Sequence, residues 1–532
     1  MSLQKAEQEK LINGVRVGRN GCTFTHLLYA DDSLFFFKND NKSLVNLRCI
    51  LDWYCNLSGQ CINYEKSDLF CSPNMSNEEQ VCLAGLLNVN LVHNPSIYLG
   101  QNFKLRGNKV ADFQFLVDKL QSKLQGWKAS LLSQAGRTTL IASVLQTLPL
   151  CTFSCFKVPE TICKKMDSIV SAFWWGHDLG VRKLHLMNWN KICQPKSWGG
   201  LGLKKFNLMN QAMLAKQYWR ISQHPNSLLA RTFKAKYFPR GSIQDCSPKP
   251  HQSWVWRNII KFDNPKLKEG RWGVGKGCNI PLSHQDWCKG LPHNLLHPSL
   301  TTGTVADLID QQSHKWNSDL IRDIYLFPLC KEILQIPLPR ICYVDDKLLW
   351  KHSNNGEFEV KKAYNILLED YLTLYNDHHS QSHADNKVWK LIWKIKTPQK
   401  ICNFIWKLLQ EALPTRQLLR NRGIIDIGPC PFRNCAEEST THLFLIYPFA
   451  RACWHGSPLA VHTSDLLGIS VQQWLKGLIM SHSLDDEVFM EYMQKIFITL
   501  WTIWYHRNRV VHEEIQPNPL EVVLTAQNLY CR

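Results

Sequence analysis

Apolar positions recur at helical spacing over much of the chain and run as strand-like stretches in only one prominent place. From Ala111 to Trp127 they fall at Phe113, Leu116, Val117, Leu120, Leu124 and Trp127, offsets of 0, 3, 4, 7, 11 and 14. That spacing makes one stripe of an amphipathic helix, with Lys119 and Lys123 on the other side. Further helical patterns cover 137–148, 162–174, 208–221, 388–410 and 488–507. The first seventy residues read as mixed helix and strand. Residues 222–340, rich in Pro, Gly and Trp, resist assignment. Polar breaks lie at 72–80, 263–269, 337–346 and 376–386, and the last of these, NDHHSQSHADN, is the best linker candidate.

Composition narrows the class. The 532 residues correspond to three or four domains at roughly 150 residues each. With 45% apolar and 20% charged residues, the chain has ample material for packed cores and is not a disordered polymer. A formal charge of +18, together with 20 Trp, 23 Phe and 15 Tyr, points to a nucleic-acid partner. The 20 cysteines are scattered and follow no secretory leader, so free thiols in a reducing compartment are expected. The longest apolar run, 496–505, is too short for a bilayer that needs about 20 residues, and no membrane partner is expected.

The chemistry-bearing feature is His26-Leu27-Leu28-Tyr29-Ala30-Asp31-Asp32-Ser33-Leu34-Phe35-Phe36-Phe37. Apolar, β-prone runs flank two adjacent acids, which predicts a strand, a tight turn and a returning strand. Adjacent carboxylates are costly to bury unless a cation neutralises them. Two-metal phosphoryl transfer uses such carboxylates to hold its ions. The bland alternative is an Asp-rich turn. Tyr343-Val344-Asp345-Asp346 has the same form but lacks strong apolar strands on both sides, and reads as a decoy.

Context extends the first site. SGQCINYEKS follows at 58–67 and IYLG at 97–100. Here the chain resembles the non-LTR (LINE-type) retrotransposon reverse transcriptases of plants. YADD resembles the metal-binding hairpin of the polymerase palm, and IYLG the strand that steadies the primer end. LQGWKASLLSQAGRTTLIASVLQTLP, FWWG and NWNKICQPKSWGGLGLKKFNLMNQAMLAKQYWR resemble the segment after the palm. LLWKHSNNGEFEVKKAY, VWKLIWKIKTPQKICNFIWKLLQEALPT and CPFRNCAEESTTHLFLIYPFARACW resemble the reverse-transcriptase zinc-binding domain.

The resemblance implies an α+β chain: a truncated palm hairpin followed by mainly helical thumb-like and zinc-binding-like domains. Its divisions would be a partial palm at 1–100, a helical thumb or connection region at 101–222 and an irregular region at 223–340. A zinc-binding-like domain at 347–455 and a helical tail at 456–532, preceding an absent RNase H domain, would complete it. Asp31 and Asp32 would ligate Mg²⁺, and Lys66 would assist proton transfer to the departing pyrophosphate. The reading of Lys66 from its residues alone is a solvated surface lysine. The family carries a further catalytic Asp upstream, whereas the 28 residues before Tyr29 hold none. The fingers are missing as well, so no polymerase activity is expected unless a separately encoded amino-terminal part completes the palm.

For zinc, the family pattern is Cys-x-x-Cys followed by His and a further Cys. This sequence offers Cys430, Cys435 and His442, with Arg433 where the second Cys is expected and Tyr447 where the fourth ligand is expected. Cys453 or His455 could reach back as the fourth ligand. Tyr447 is a poor ligand, because its phenol stays protonated near neutral pH. The alternative is a subdomain folded on its Trp and Leu core alone.

Residues 101–140 carry seven basic residues against two acidic ones. Lys119, Lys123, Lys128 and Arg137 there are candidates for contacting the backbone of an RNA or DNA template–primer. Any one of them alone reads as a solvated lysine or arginine. Trp389, Trp393 and Trp406 recur with Ile392, Phe404 and Leu409 as core packing. Gly199, Gly200 and Gly202 read as a turn, and Cys151 and Cys155 as core thiols. Three functions compete: part of an RNA-directed DNA polymerase, a non-catalytic nucleic-acid binder, and the product of a decayed element without selected function. The family acts in the nucleus, although no basic run makes a clear import signal.

Overall fold

The computed structural model describes residues 3–18, 21–93, 97–102, 107–127, 131–176, 184–288, 303–310, 313–339, 344–374, 383–424, 437–459 and 461–530. The architecture is α+β and mainly helical, with every sheet among the described residues two-stranded. The chain divides into two compact units, 1–113 with 150–159 and 208–369, and 114–149 with 160–207 and 370–532.

In the first unit, His26–Tyr29 and Asp32–Phe35 pair antiparallel, with Tyr29 opposite Asp32. The helix Asn41–Ser58 follows. The Asp40 side chain caps its first turn by accepting the Ser43 N–H at 2.6 Å, and Gly59 ends it in the left-handed region at φ 70°. Its Leu47 and Ile50 pack with Ala6 and Ile12, and Phe35 and Phe37 of the hairpin strand and its extension lean on this cluster. Leu44 turns to a second cluster with Leu69 of the short strand Asp68–Leu69 and with Leu83 and Ala84 of the helix Asn77–Leu87.

Farther along the same unit, Gly270–Gly273 pairs antiparallel with Lys347–Trp350, about 75 residues later in the chain. The Gln223 amide, at the end of the helix Phe206–Gln223, donates to the Leu348 and Gly356 carbonyls. Trp219 donates its indole N–H to the Leu267 carbonyl at 2.9 Å. Val274, Ile280, Leu282, Val305, Leu308, Ile321 and Ile333 form the core around this sheet. The region without a readable pattern therefore has a real core, built from helices of seven to ten residues and short turns.

The helix Lys109–Gln125 runs where the stripe places it. Phe113, Leu116, Val117 and Leu120 are buried, while Lys119 and Lys123 are exposed. In the second unit the helix Glu160–Trp175 buries Ile162, Met166, Val170 and Trp174, as its sequence pattern requires. The pattern at 388–410 resolves into two helices, His383–Lys394 and Gln399–Leu409. Pro398 separates them, since a proline drives the residue before it out of the helical region.

The helix Glu487–His512 packs on Gln399–Leu409, Pro448–His455 and Pro519–Tyr530. Buried His506 accepts the Asn518 N–H at its Nε2 (3.1 Å), and burial lowers its pKa, which favours the neutral acceptor. Among the described residues no helix is long and apolar enough to cross a membrane. One expectation fails: Cys151 and Cys155, on the short helix Leu150–Cys155, are exposed rather than packed in a core. That helix turns Thr152 and Phe153 inward instead.

Candidate metal and nucleic-acid sites

The register of the first hairpin leaves Ala30 and Asp31 as a two-residue turn. Ala30 takes φ 50°, a conformation that costs a side-chain-bearing residue about 1–2 kcal/mol. The turn leaves Asp31 and the adjoining Asp32, which is paired opposite Tyr29, exposed, as Tyr29 itself is. Lys66 ends the short turn Tyr64–Lys66, capped by the Asn63 side chain, and is exposed. No ion pair joins it to Asp31 or Asp32. Among the described residues, no group of three or more His, Cys, Asp or Glu side chains could hold a metal ion. The hairpin offers Mg²⁺ two carboxylates and no third donor of that kind.

The second Asp pair has a different occupation. The Asp346 carboxylate accepts three backbone N–H bonds, from Gly275 (2.8 Å), Gly277 (2.7 Å) and Asn279 (2.8 Å). Asp345 pairs with Lys276 at 3.1 Å. Asp346 therefore holds a tight loop against the end of strand Lys347–Trp350. Three charge-assisted bonds use most of the acceptor capacity that a metal would need.

Of the four basic candidates, Lys119 and Lys123 stand exposed on one helix and pair with no carboxylate among the described residues. Lys128 lies outside the described residues. Arg137 is half-buried on the helix Gln134–Leu140 and comes close against Gly176. Its neighbour Lys407 donates to the Gln134 side chain at 2.8 Å. Burial, reinforced by the Arg137 charge, brings the Lys407 ammonium down to about 8.

Of the zinc candidates, Cys430 and Cys435 lie outside the described residues. His442 opens a π-helical turn, His442–Ile446, and its ring centroid lies 5.8 Å from that of Tyr447. The position expected to supply the fourth ligand is thus beside the histidine, but it carries a phenol. Cys453 is fully buried, directed to the Pro519 carbonyl, and burial pushes its thiol up to about 12. That placement commits it to packing and argues against a reach-back ligand. His455 is exposed at the end of its helix. The described residues supply one expected zinc ligand, His442, and do not by themselves make a zinc site.

A buried ion pair borders this segment. Glu438 and Arg507 are 1% and 5% exposed. The guanidinium donates from Nε to one carboxylate oxygen and from Nη2 to the other, each at 2.6 Å, and the Arg416 N–H adds a third bond at 2.9 Å. Arg420 pairs with the adjacent Glu437 at 2.6 Å. These contacts anchor Glu437 and Glu438, just ahead of His442, to the helices Arg416–Asn421 and Glu487–His512. The two partners are 69 residues apart, and no local pattern marks either as buried.

Residues 358–454 match the family pattern described as zinc-binding in reverse transcriptase. An Arabidopsis thaliana protein named "Putative ribonuclease H protein" is 28% identical over 350 residues, 64% of this chain and 55% of the relative. The chain thus spans about half of that relative's length. An uncharacterized mitochondrial protein of Arabidopsis thaliana is 40% identical over 114 residues, 21% of this chain and 74% of the relative. The chain belongs to the retroelement-derived proteins related to reverse transcriptase that carry this zinc-binding domain.

Proposed function

We propose that the chain is a nucleic-acid-binding protein of LINE-type reverse-transcriptase descent, which holds RNA or a template–primer duplex without extending a primer by itself. The observation that carries this reading is the helix Lys109–Gln125, whose apolar stripe is buried while Lys119 and Lys123 stand exposed and pair with no acid among the described residues. Cations so placed neutralise phosphates and release counterions. The polymerase chemistry needs more than the exposed pair Asp31 and Asp32, since the two metals must be held by a converging donor set. A separately encoded palm and fingers would supply the remainder, with Mg²⁺ at Asp31 and Asp32. The nucleus is the compartment this descent suggests. Zinc bound through Cys430, Cys435 and His442 would tie Cys430 and Cys435 to the helical core, with folding as its contribution.

Primer extension on an RNA template, with Mg²⁺ or Mn²⁺, tests the catalytic half of the reading. The expected result is no extension above a control without protein. Template-dependent extension that Asp31→Ala abolishes would overturn it.

A further inference from the structure

The helix pair at 318–334 lies in the region whose sequence resists assignment, outside the zinc-binding family match at 358–454. Asn317 caps the helix Ser318–Ile324 by accepting the Leu320 N–H at 3.1 Å. The helix Phe327–Leu334 starts two residues after Tyr325, with a proline in its first turn. Ile321, Cys330 and Ile333 are buried beneath the turn. The Cys330 thiol donates to the Tyr325 and Ile321 carbonyls, at 2.7 and 3.4 Å. These contacts make the turn a fixed platform, not a loose connection.

Its outer side forms a groove of about 350 Å³, whose walls include Arg322, Tyr325, Phe327, Lys331, Leu334 and Gln335. A volume in the range of roughly 300–1,000 Å³ receives a small-molecule-sized group. Two features of the groove go against the ordinary economy of a surface. Phe327 is 81% exposed, an aromatic ring left in water. Arg322 and Lys331 are exposed and make no ion pair among the described residues, although Asp319, Asp323 and Glu332 lie on the same two helices. An exposed ring, two cations without ion pairs and a carboxamide lining one groove match the parts of a nucleotide. Bases stack on aromatic rings, phosphates take guanidinium and ammonium donors, and an amide reads a base edge.

We propose that this groove binds one nucleotide unit of a single-stranded nucleic acid, the base on Phe327 and the flanking phosphates on Arg322 and Lys331. The inference rests on the nucleic-acid reading above and adds a specific seat to it. An acidic, aromatic peptide is the competing occupant. The overall +18 charge favours the polyanion with the higher charge density.

The test uses the full chain and a fluorescein-labelled 20-nucleotide oligouridylate, with anisotropy read at several salt concentrations. Phe327→Ala should weaken binding roughly 5- to 100-fold, and Phe327→Trp should restore it, because an indole stacks at least as well. The double variant Arg322→Ala with Lys331→Ala should weaken binding and lower the salt slope by about 1.4, two phosphates' worth on a single strand. All three positions are exposed, so circular dichroism and the melting temperature should stay those of the parent. Wild-type affinity and slope in these variants, with the parent binding well, would overturn the groove and leave the broader reading standing. Failure of the parent to bind would overturn both. Displacement of the oligonucleotide by an Asp/Glu/Phe peptide at equal concentration would also count against the groove's proposed occupant.

Discussion

Glu438→Gln should destabilise the second compact unit by about 3–5 kcal/mol, the cost of leaving a buried guanidinium without its counter-charge. The change is nearly isosteric, so packing is conserved and the loss is electrostatic. Arg507 is 5% exposed and donates twice to Glu438, at 2.6 Å each, with the Trp504 ring 5.1 Å from its guanidinium carbon. Water cannot replace the lost carboxylate at that depth. Replacing both partners, Glu438→Met with Arg507→Met, should recover most of the loss, because neither charge then needs solvation. Urea unfolding followed by tryptophan fluorescence reads the effect as a shift of the midpoint. An unchanged midpoint in Glu438→Gln would show that the pair is not the anchor its geometry describes.

Trp406→Ala is the second change with a large expected effect, again about 3–5 kcal/mol. Trp406 is 1% exposed, donates its indole N–H to the Gly199 carbonyl at 2.7 Å and meets Trp174 edge to face. Gly199 takes φ 80°, and a Cβ there would meet the Trp389 ring at 2.7 Å. The turn at Gly199 is thus held from two helices, pressed against Trp389 of His383–Lys394 and bonded through its carbonyl to Trp406 of Gln399–Leu409. Removing the ring leaves a cavity in a region where little can collapse. The Gly199 carbonyl keeps one partner, the Gln410 amide at 2.8 Å, so the loss comes chiefly from packing. The midpoint of unfolding in Trp406→Ala checks the magnitude, and a shift below that of an ordinary surface substitution would contradict it.

Where one element supplied both the pattern and its reason, the sequence was a sufficient guide. The stripe from Phe113 to Leu120 and the hairpin around Ala30 and Asp31 are both local, and both stand in the structure. The Pro398 break was written in the sequence as well, but the continuous run of Trp and Ile around it obscured the stop. Residues 222–340 were opaque for a different reason. Their sheet joins Gly270–Gly273 to a strand about 75 residues away, and their helices are too short to show a period.

The two Asp pairs show why a motif needs its surroundings. Asp31 and Asp32 are exposed at a turn, whereas Asp346 is occupied with three N–H bonds that no spacing rule announces. The Glu438–Arg507 pair was hidden for the same reason, since burial of a charge depends on a partner far away in the chain. Of the three core zinc candidates Cys430, Cys435 and His442, only His442 falls among the described residues, with Tyr447 beside it.

We propose that this retroelement-derived chain holds nucleic acid through its cations. The most direct test is equilibrium binding of the full chain to a labelled 30-nucleotide RNA between about 50 and 200 mM salt. The expected result is saturable binding whose log affinity falls linearly with log salt, and a slope reduced by about 1.4 in Lys119→Ala with Lys123→Ala. No binding at the lowest salt, or an affinity indifferent to salt, would contradict it.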